Sequence, residues 1–195
     1  MPAFTLPKLD RNLITTAVVA GAVATVGFDL FGQFISPVLK GTVGPYLGAK
    51  LAPVGLANQS IAALTGVSGK TISSMGIGYG AHVATGVLAY PLGYILAARP
   101  ISNAVGKLPW WLTGLAYGAV LFVFALYVMA HLVAGNPPFL GWGGITWVAL
   151  WGHLLFGLIV AFVHTTRMEA PEATALDGAV GRTDPLSITS GRVAA

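Results

Sequence analysis

The sequence predicts an all-α integral membrane protein: four transmembrane helices in a small bundle, with a short interfacial or re-entrant helix between helices 1 and 2. Four apolar stretches, at about 13–39, 75–98, 109–134 and 142–165, are each long enough to cross a hydrocarbon core of ~30 Å as a helix. Charged residues make up only 8% of the chain and hydrophobic residues 55%, whereas soluble domains average ~25% and ~45–50%. The stretches are continuously apolar, which favours helices over the alternating strands of a membrane barrel.

Small residues recur at steps of four along the first three spans. They are Ala17, Gly21 and Thr25 in span 1, Gly76, Gly80 and Ala84 in span 2, and Gly114 and Gly118 in span 3. Small side chains at this spacing let two helix backbones approach closely. We therefore expect a tightly packed bundle, and we expect these faces to accept helices of other subunits as well.

The remaining elements follow from prolines and polar clusters. Pro91 lies inside span 2 and should kink it, because proline lacks the N–H that a helix interior uses. The longest connection, 40–74, contains an amphipathic stretch over 55–64, which predicts the short interfacial or re-entrant helix. Gly135 to Pro138 should close the hairpin between spans 3 and 4, since two successive prolines cannot extend a helix.

Composition divides the chain into a transmembrane domain, 1–167, and a polar C-terminal tail, 168–195. The tail is rich in Ala, Thr, Ser, Gly and acidic residues, and it lacks the apolar content to fold alone. We expect it to be ordered by contact with a partner subunit.

The basic residues act as topology signals. The ten Lys and Arg are spread thinly along the chain and form no basic stripe interleaved with aromatics, so nucleic acid is not an expected partner. With a cytoplasmic N-terminus, seven of them fall on the inner side, and Lys40, Lys50 and Lys70 fall on the outer side. The positive-inside rule then predicts a multi-pass protein of the bacterial inner membrane, N-in and C-in.

Four ionisable residues lie at depth inside the predicted spans, namely Asp29, His82, His131 and His153, whereas His164 lies close to the inner surface. In the N-in topology Asp29, His82 and His131 all fall in the outer half of the bilayer, and Gly78, His82 and Gly86 step by four along one stripe of span 2. Ionisable groups at this depth are costly and usually face the bundle interior or a water-filled cavity. These four residues are the candidate binding site.

Three interpretations of that cluster stay open. The histidines could hydrogen-bond to carbonyls, Gln33 or Asp29 and hold the helices together. They could form a proton-relay or quinone site, or ligate haem b, for which His82 and His131 are the pair at matching depth. A metal site of His82, His131 and Asp29 would need the same convergence, and no spacing motif supports it, so no cofactor or metal is expected.

A family resemblance rests on the same residues. The relevant segments are Gly80-Ala81-His82, Met129-Ala130-His131, Asn136-Pro137-Pro138 and Trp151-Gly152-His153-Leu154. Over residues 75–165 the chain resembles the YagU-like family of uncharacterised bacterial inner-membrane proteins. The resemblance implies the same topology and singles out the same histidines, but it implies no chemistry. Span 1 departs from the family pattern, because Asp29 and Gln33 stand where a lysine and an acidic residue are expected.

The sequence thus predicts a non-catalytic accessory or scaffolding subunit of a larger membrane complex, respiratory or photosynthetic. Small size, small-residue faces and the polar tail all favour that role, and its partners are the lipid bilayer and other membrane-protein subunits. The alternative is a stand-alone redox or proton-handling protein that uses the cluster of Asp29, His82, His131 and His153.

Overall fold

The computed structural model describes residues 6–169, and over this range every regular element is helical. The elements in chain order are α1 (Arg11–Val38), α2 (Pro53–Thr65), α3 (Gly69–Ser74), α4 (Ile77–Val105), α5 (Trp110–Val133) and α6 (Gly144–Glu169). Helices α1, α4, α5 and α6 are long and apolar enough to cross a membrane, which confirms that the four predicted segments are long apolar helices. The tail beyond Glu169 lies outside the described residues.

Helix α6 occupies the centre of the bundle and packs against α5 on one side and α1 on the other. The α5–α6 crossing is made backbone to backbone: a Cβ at Gly118 would collide with the carbonyl of His153, and one at Gly157 with the carbonyl of Gly114. The interface therefore depends on glycine, as the small-residue spacing predicts.

Helix α1 uses its small residues in the same way. Ala17, Gly21 and Thr25 are all buried inside the bundle, and Gly114 and Gly118 of α5 are buried too. The small-residue faces of spans 1 and 3 are thus occupied within this chain and are closed to a partner. The face of span 2, formed by Gly76, Gly80 and Ala84, remains exposed.

Pro91 is accommodated by π-helical turns on either side, at Thr85–Ala89 and Tyr94–Ala98. Wide turns of this kind relieve the clash between a proline ring and the preceding carbonyls. Gly21 of α1 lies directly over the carbonyls of Gly86 and Val87. Around Pro91 span 2 is therefore wound more widely than an α-helix, and the first of the two wide turns forms the crossing point with α1.

A further difference concerns the end of helix α4. It continues to Val105 rather than ending near Ala98, and Arg99 in this extension donates to Glu169 and to the carbonyl of Leu108. The predicted short helix is confirmed as α2, which is tied to the hairpin between α5 and α6: Asn136 Nδ2 donates to Gln59 Oε1 at 3.1 Å.

After Pro138 this hairpin takes left-handed backbone angles at Phe139 and Leu140. The ring of Phe139 stacks on that of Phe122, with ring centroids 5.5 Å apart.

Candidate functional site

A cavity of about 490 Å³ opens between α2 and the four long helices. Its wall is largely apolar and includes the aromatic rings of Phe28, Tyr90, Phe124 and Phe156. None of the described residues that line it is Lys, Arg, Asp or Glu. The polar side chains on the wall, besides Tyr90, are those of Thr25, Ser60, His82, Thr85 and His153.

The contact between Asp29 of α1 and His82 of α4 joins two helices at this wall. His82 Nε2 lies 3.2 Å from both carboxylate oxygens of Asp29, and Gln33 Nε2 donates to Asp29 Oδ1 at 3.0 Å. Asp29 and Gln33 are one helical turn apart, where side chains on the same face meet. The carboxylate is therefore held from its own helix and from the neighbouring one.

The hydrogen-bonding state of His82 follows from this geometry. An ionised carboxylate only accepts hydrogen bonds, so Nε2 carries the proton that it donates to Asp29. In a neutral imidazole the other nitrogen, Nδ1, is then an acceptor. His82, a residue of the cavity wall, thus has one acceptor atom, Nδ1, while its other nitrogen is bonded to a carboxylate.

His153 lies on the same cavity wall, and the ring of Phe28 stands between it and His82. The ring centroid of Phe28 is 5.0 Å from that of His153 and 6.4 Å from that of His82. His153 Nδ1 donates to the carbonyl of Ala149 at 2.7 Å, which leaves Nε2 as the acceptor of the neutral ring. The structure therefore brings Asp29, His82 and His153 together.

His131 does not join them. Its Nδ1 lies 2.7 Å from the carbonyl of Asn136 and its ring packs on Tyr127, so it closes the hairpin rather than lining the cavity. The His82–His131 pair does not fit haem b, because His82 Nε2 is taken by Asp29 and His131 lies outside the cavity wall. Within residues 6–169 no three His, Asp or Glu side chains are placed to hold a metal ion.

Two features of the structure, one at the cavity and one far from it, have no clear signal in the sequence. Thr25 Oγ1 is buried at the cavity without a hydrogen-bond partner among the described residues, whereas the sequence predicts only close helix packing for Thr25. At the opposite end of the bundle, Arg99 donates to both carboxylate oxygens of Glu169, at 2.6 and 2.9 Å. His164 Nδ1 lies 3.5 Å from the same carboxylate. From the sequence, Arg99 is only a topology signal, and Glu169 is only one of the acidic residues of the polar tail.

Comparison of the chain with protein-family models, with curated proteins and with solved structures finds no match. The resemblance to the YagU-like family therefore stays a prediction.

Proposed function

We propose that this chain binds a neutral, membrane-soluble molecule with a hydrogen-bonding head and an apolar tail, of the quinol or quinone class. The observation that carries the proposal is His82 on the wall of a largely apolar cavity of about 490 Å³, with the Asp29 carboxylate bonded to its Nε2. Small-molecule sites have this character: a concave, mostly apolar space of ~300–1,000 Å³ with a few placed polar groups.

The chemistry of the wall narrows the ligand class. A phosphate or carboxylate head would enter a space without a lining cation and would approach Asp29, which disfavours charged lipids there. A neutral ring suits the aromatic walls, since aromatic pairs gain ~0.5–1.5 kcal/mol beyond simple area burial. The acceptor nitrogens of His82 and His153 match the hydroxyl groups of a quinol, and the hydroxyl of Thr25 can donate to a carbonyl group of a quinone.

The Asp29–His82 pair would also orient a bound quinol. A hydroxyl of the quinol would donate to His82 Nδ1, because the bond from Nε2 to the Asp29 carboxylate keeps Nδ1 the acceptor of the neutral ring. The proposal covers binding and hydrogen-bond acceptance at His82. It assigns no proton-transfer or electron-transfer step.

Titration calorimetry with a short-tailed quinol, on the full chain in detergent, tests the proposal. We expect saturable binding that weakens about tenfold in His82→Gln, the change in Kd for losing a buried hydrogen bond of about 1.4 kcal/mol. His131→Gln is the matched control and should bind as the unaltered protein does. If His82→Gln and His131→Gln bind the quinol with the same Kd, His82 does not contact the ligand and the proposal is wrong.

A second pair of variants tests the cavity itself. Ala125 lines it, whereas Ala116 lies on the same helix, α5, and is exposed away from it. Ala125→Phe should abolish saturable binding by filling the space, and Ala116→Phe should not. If the two variants bind the quinol equally well, the ligand does not bind in this cavity.

We also propose that the chain works as an accessory subunit beside a larger complex in the bacterial inner membrane, N-in and C-in. The exposed face of Gly76, Gly80 and Ala84 supports this, because it is the small-residue face that the bundle leaves uncovered. Gly80→Leu and deletion of 170–195 should each reduce co-purification of a larger complex in mild detergent. Ala116→Leu is the control for Gly80→Leu, because Ala116 is also an exposed small residue of a long helix. The exposed Gly66 would not serve, because its φ of 71° is one that leucine rarely adopts.

A further inference from the structure

The segment between α1 and α2 is folded back on the end of α1 rather than extended from it. Ser36 Oγ donates to the carbonyl of Ala49 at 2.9 Å and accepts from the backbone N–H of Gly48 at 3.1 Å. Leu51 N donates to the carbonyl of Gly32 at 2.9 Å. The loop therefore leaves and rejoins the bundle at one place.

This closure brings two lysines to the base of the loop, where it leaves and rejoins the bundle; we call this place the neck. The backbone and side chain of Lys40 lie directly against Gly48, and Gly48 is two residues, at most about 7 Å of chain, from Lys50. Both lysines are exposed. Segment 40–74 contains three lysines and no acidic residue, so the positive charge here has no acidic partner within the segment.

An apolar groove of about 400 Å³ lies beside this neck. Its walls are Phe31 of α1, Trp151 of α6, and Val43, Tyr46 and Leu47 of the loop. Tyr46 is fixed edge-on against Trp147, with ring centroids 5.1 Å apart, while Val43, Tyr46 and Trp151 remain exposed. The groove thus has a rigid aromatic wall and an open apolar side.

We propose that this groove and the two lysines form a binding site for one anionic phospholipid. An acyl chain would lie along Phe31, Val43 and Trp151, and the phosphate would meet the ammonium groups of Lys40 and Lys50. Charge complementarity selects an anionic lipid over a zwitterionic one, since each lysine near the headgroups enriches anionic lipid about fivefold. The site is separate from the cavity at His82.

Trp151 provides a reporter for this site. The full chain is placed in nanodiscs of phosphatidylcholine that contain a minor fraction of lipid with brominated acyl chains, which quench nearby tryptophan. We expect brominated phosphatidylglycerol to quench more strongly than the same fraction of brominated phosphatidylcholine. The excess quenching should fall in Trp151→Phe, which keeps an aromatic wall but removes the tryptophan that lines the groove; Trp147 beside Tyr46 remains as a more distant reporter.

Charge variants complete the test. The double variant Lys40→Gln/Lys50→Gln should lower the preference for phosphatidylglycerol roughly 20-fold or more, the product of two fivefold effects. Lys70→Gln lies at the same end of the bundle, on α3, and should leave the preference nearly unchanged. Equal quenching by the two lipids, or an equal loss in Lys70→Gln, would overturn the proposal, whatever the outcome of the quinol titration.

Discussion

The Nε2 atom of His82 lies 3.2 Å from both carboxylate oxygens of Asp29. The two residues are 53 positions apart in the chain, and their contact joins helices α1 and α4. The side chains of His82 and Asp29 are 15% and 30% exposed. Between apolar helices an unpaired carboxylate or imidazole is costly, so each residue supplies the partner that the other needs. The pair is at once a link between helices and the polar group of the proposed ligand site.

Thermal unfolding in detergent should show that the two residues act together. Asp29→Leu removes the acceptor of both His82 and Gln33, and we expect it to lower the free energy of unfolding by about 1–3 kcal/mol. The double variant Asp29→Leu/His82→Leu should cost less than the sum of the single variants, because it leaves no orphaned partner. Strictly additive effects would show that the contact contributes nothing to stability.

Two glycines in long helices should respond oppositely to the same change. Gly118→Ala forces a Cβ into the backbone of α6 at His153 and Leu154, and we expect a loss of about 1–3 kcal/mol. Gly80→Ala meets nothing within 4 Å, so higher helix propensity should leave stability unchanged or raise it by up to about 1 kcal/mol. The difference between the two Tm shifts, measured by circular dichroism, checks the close α5–α6 approach.

The Arg99–Glu169 pair should stabilise the end of the bundle opposite the cavity. Arg99 also donates to the carbonyl of Leu108 at 2.8 Å, so Arg99→Met leaves both a carboxylate and a carbonyl without their donor. We expect it to cost about 2–4 kcal/mol, since removing one partner of a largely buried pair is strongly destabilising. Lys107→Met is the control, because Lys107 is exposed nearby; a similar loss in that variant would argue against the pair.

The predicted orientation can be read by cysteine labelling, because the chain has no cysteine of its own. Lys50 and Lys107 are both exposed and lie at opposite ends of the bundle. In intact cells a membrane-impermeant maleimide should label Lys50→Cys, and it should label Lys107→Cys only after the membrane is opened. The reverse pattern would place both termini on the outer side.

The sequence alone was enough to predict the four long helices, the short helix after span 1 and the turn at Asn136, Pro137 and Pro138. These features depend on local properties: the length of apolar runs, the absent N–H of proline and the size of glycine. The same properties predicted the close contacts at Gly21 and Gly118. They did not show that these contacts would be made within the chain rather than with a partner.

The tertiary structure decided which histidine meets Asp29. Topology predicts depth along the membrane normal, and by depth His82 and His131 are equivalent. The direction in which each faces depends on the turns before it, and α5 is π-helical over Phe124–Val133, where hydrogen bonds span five residues instead of four. That wider winding rotates His131 away from the position an α-helix would give it. It bonds to the hairpin at Asn136, while His82 and His153 line the cavity.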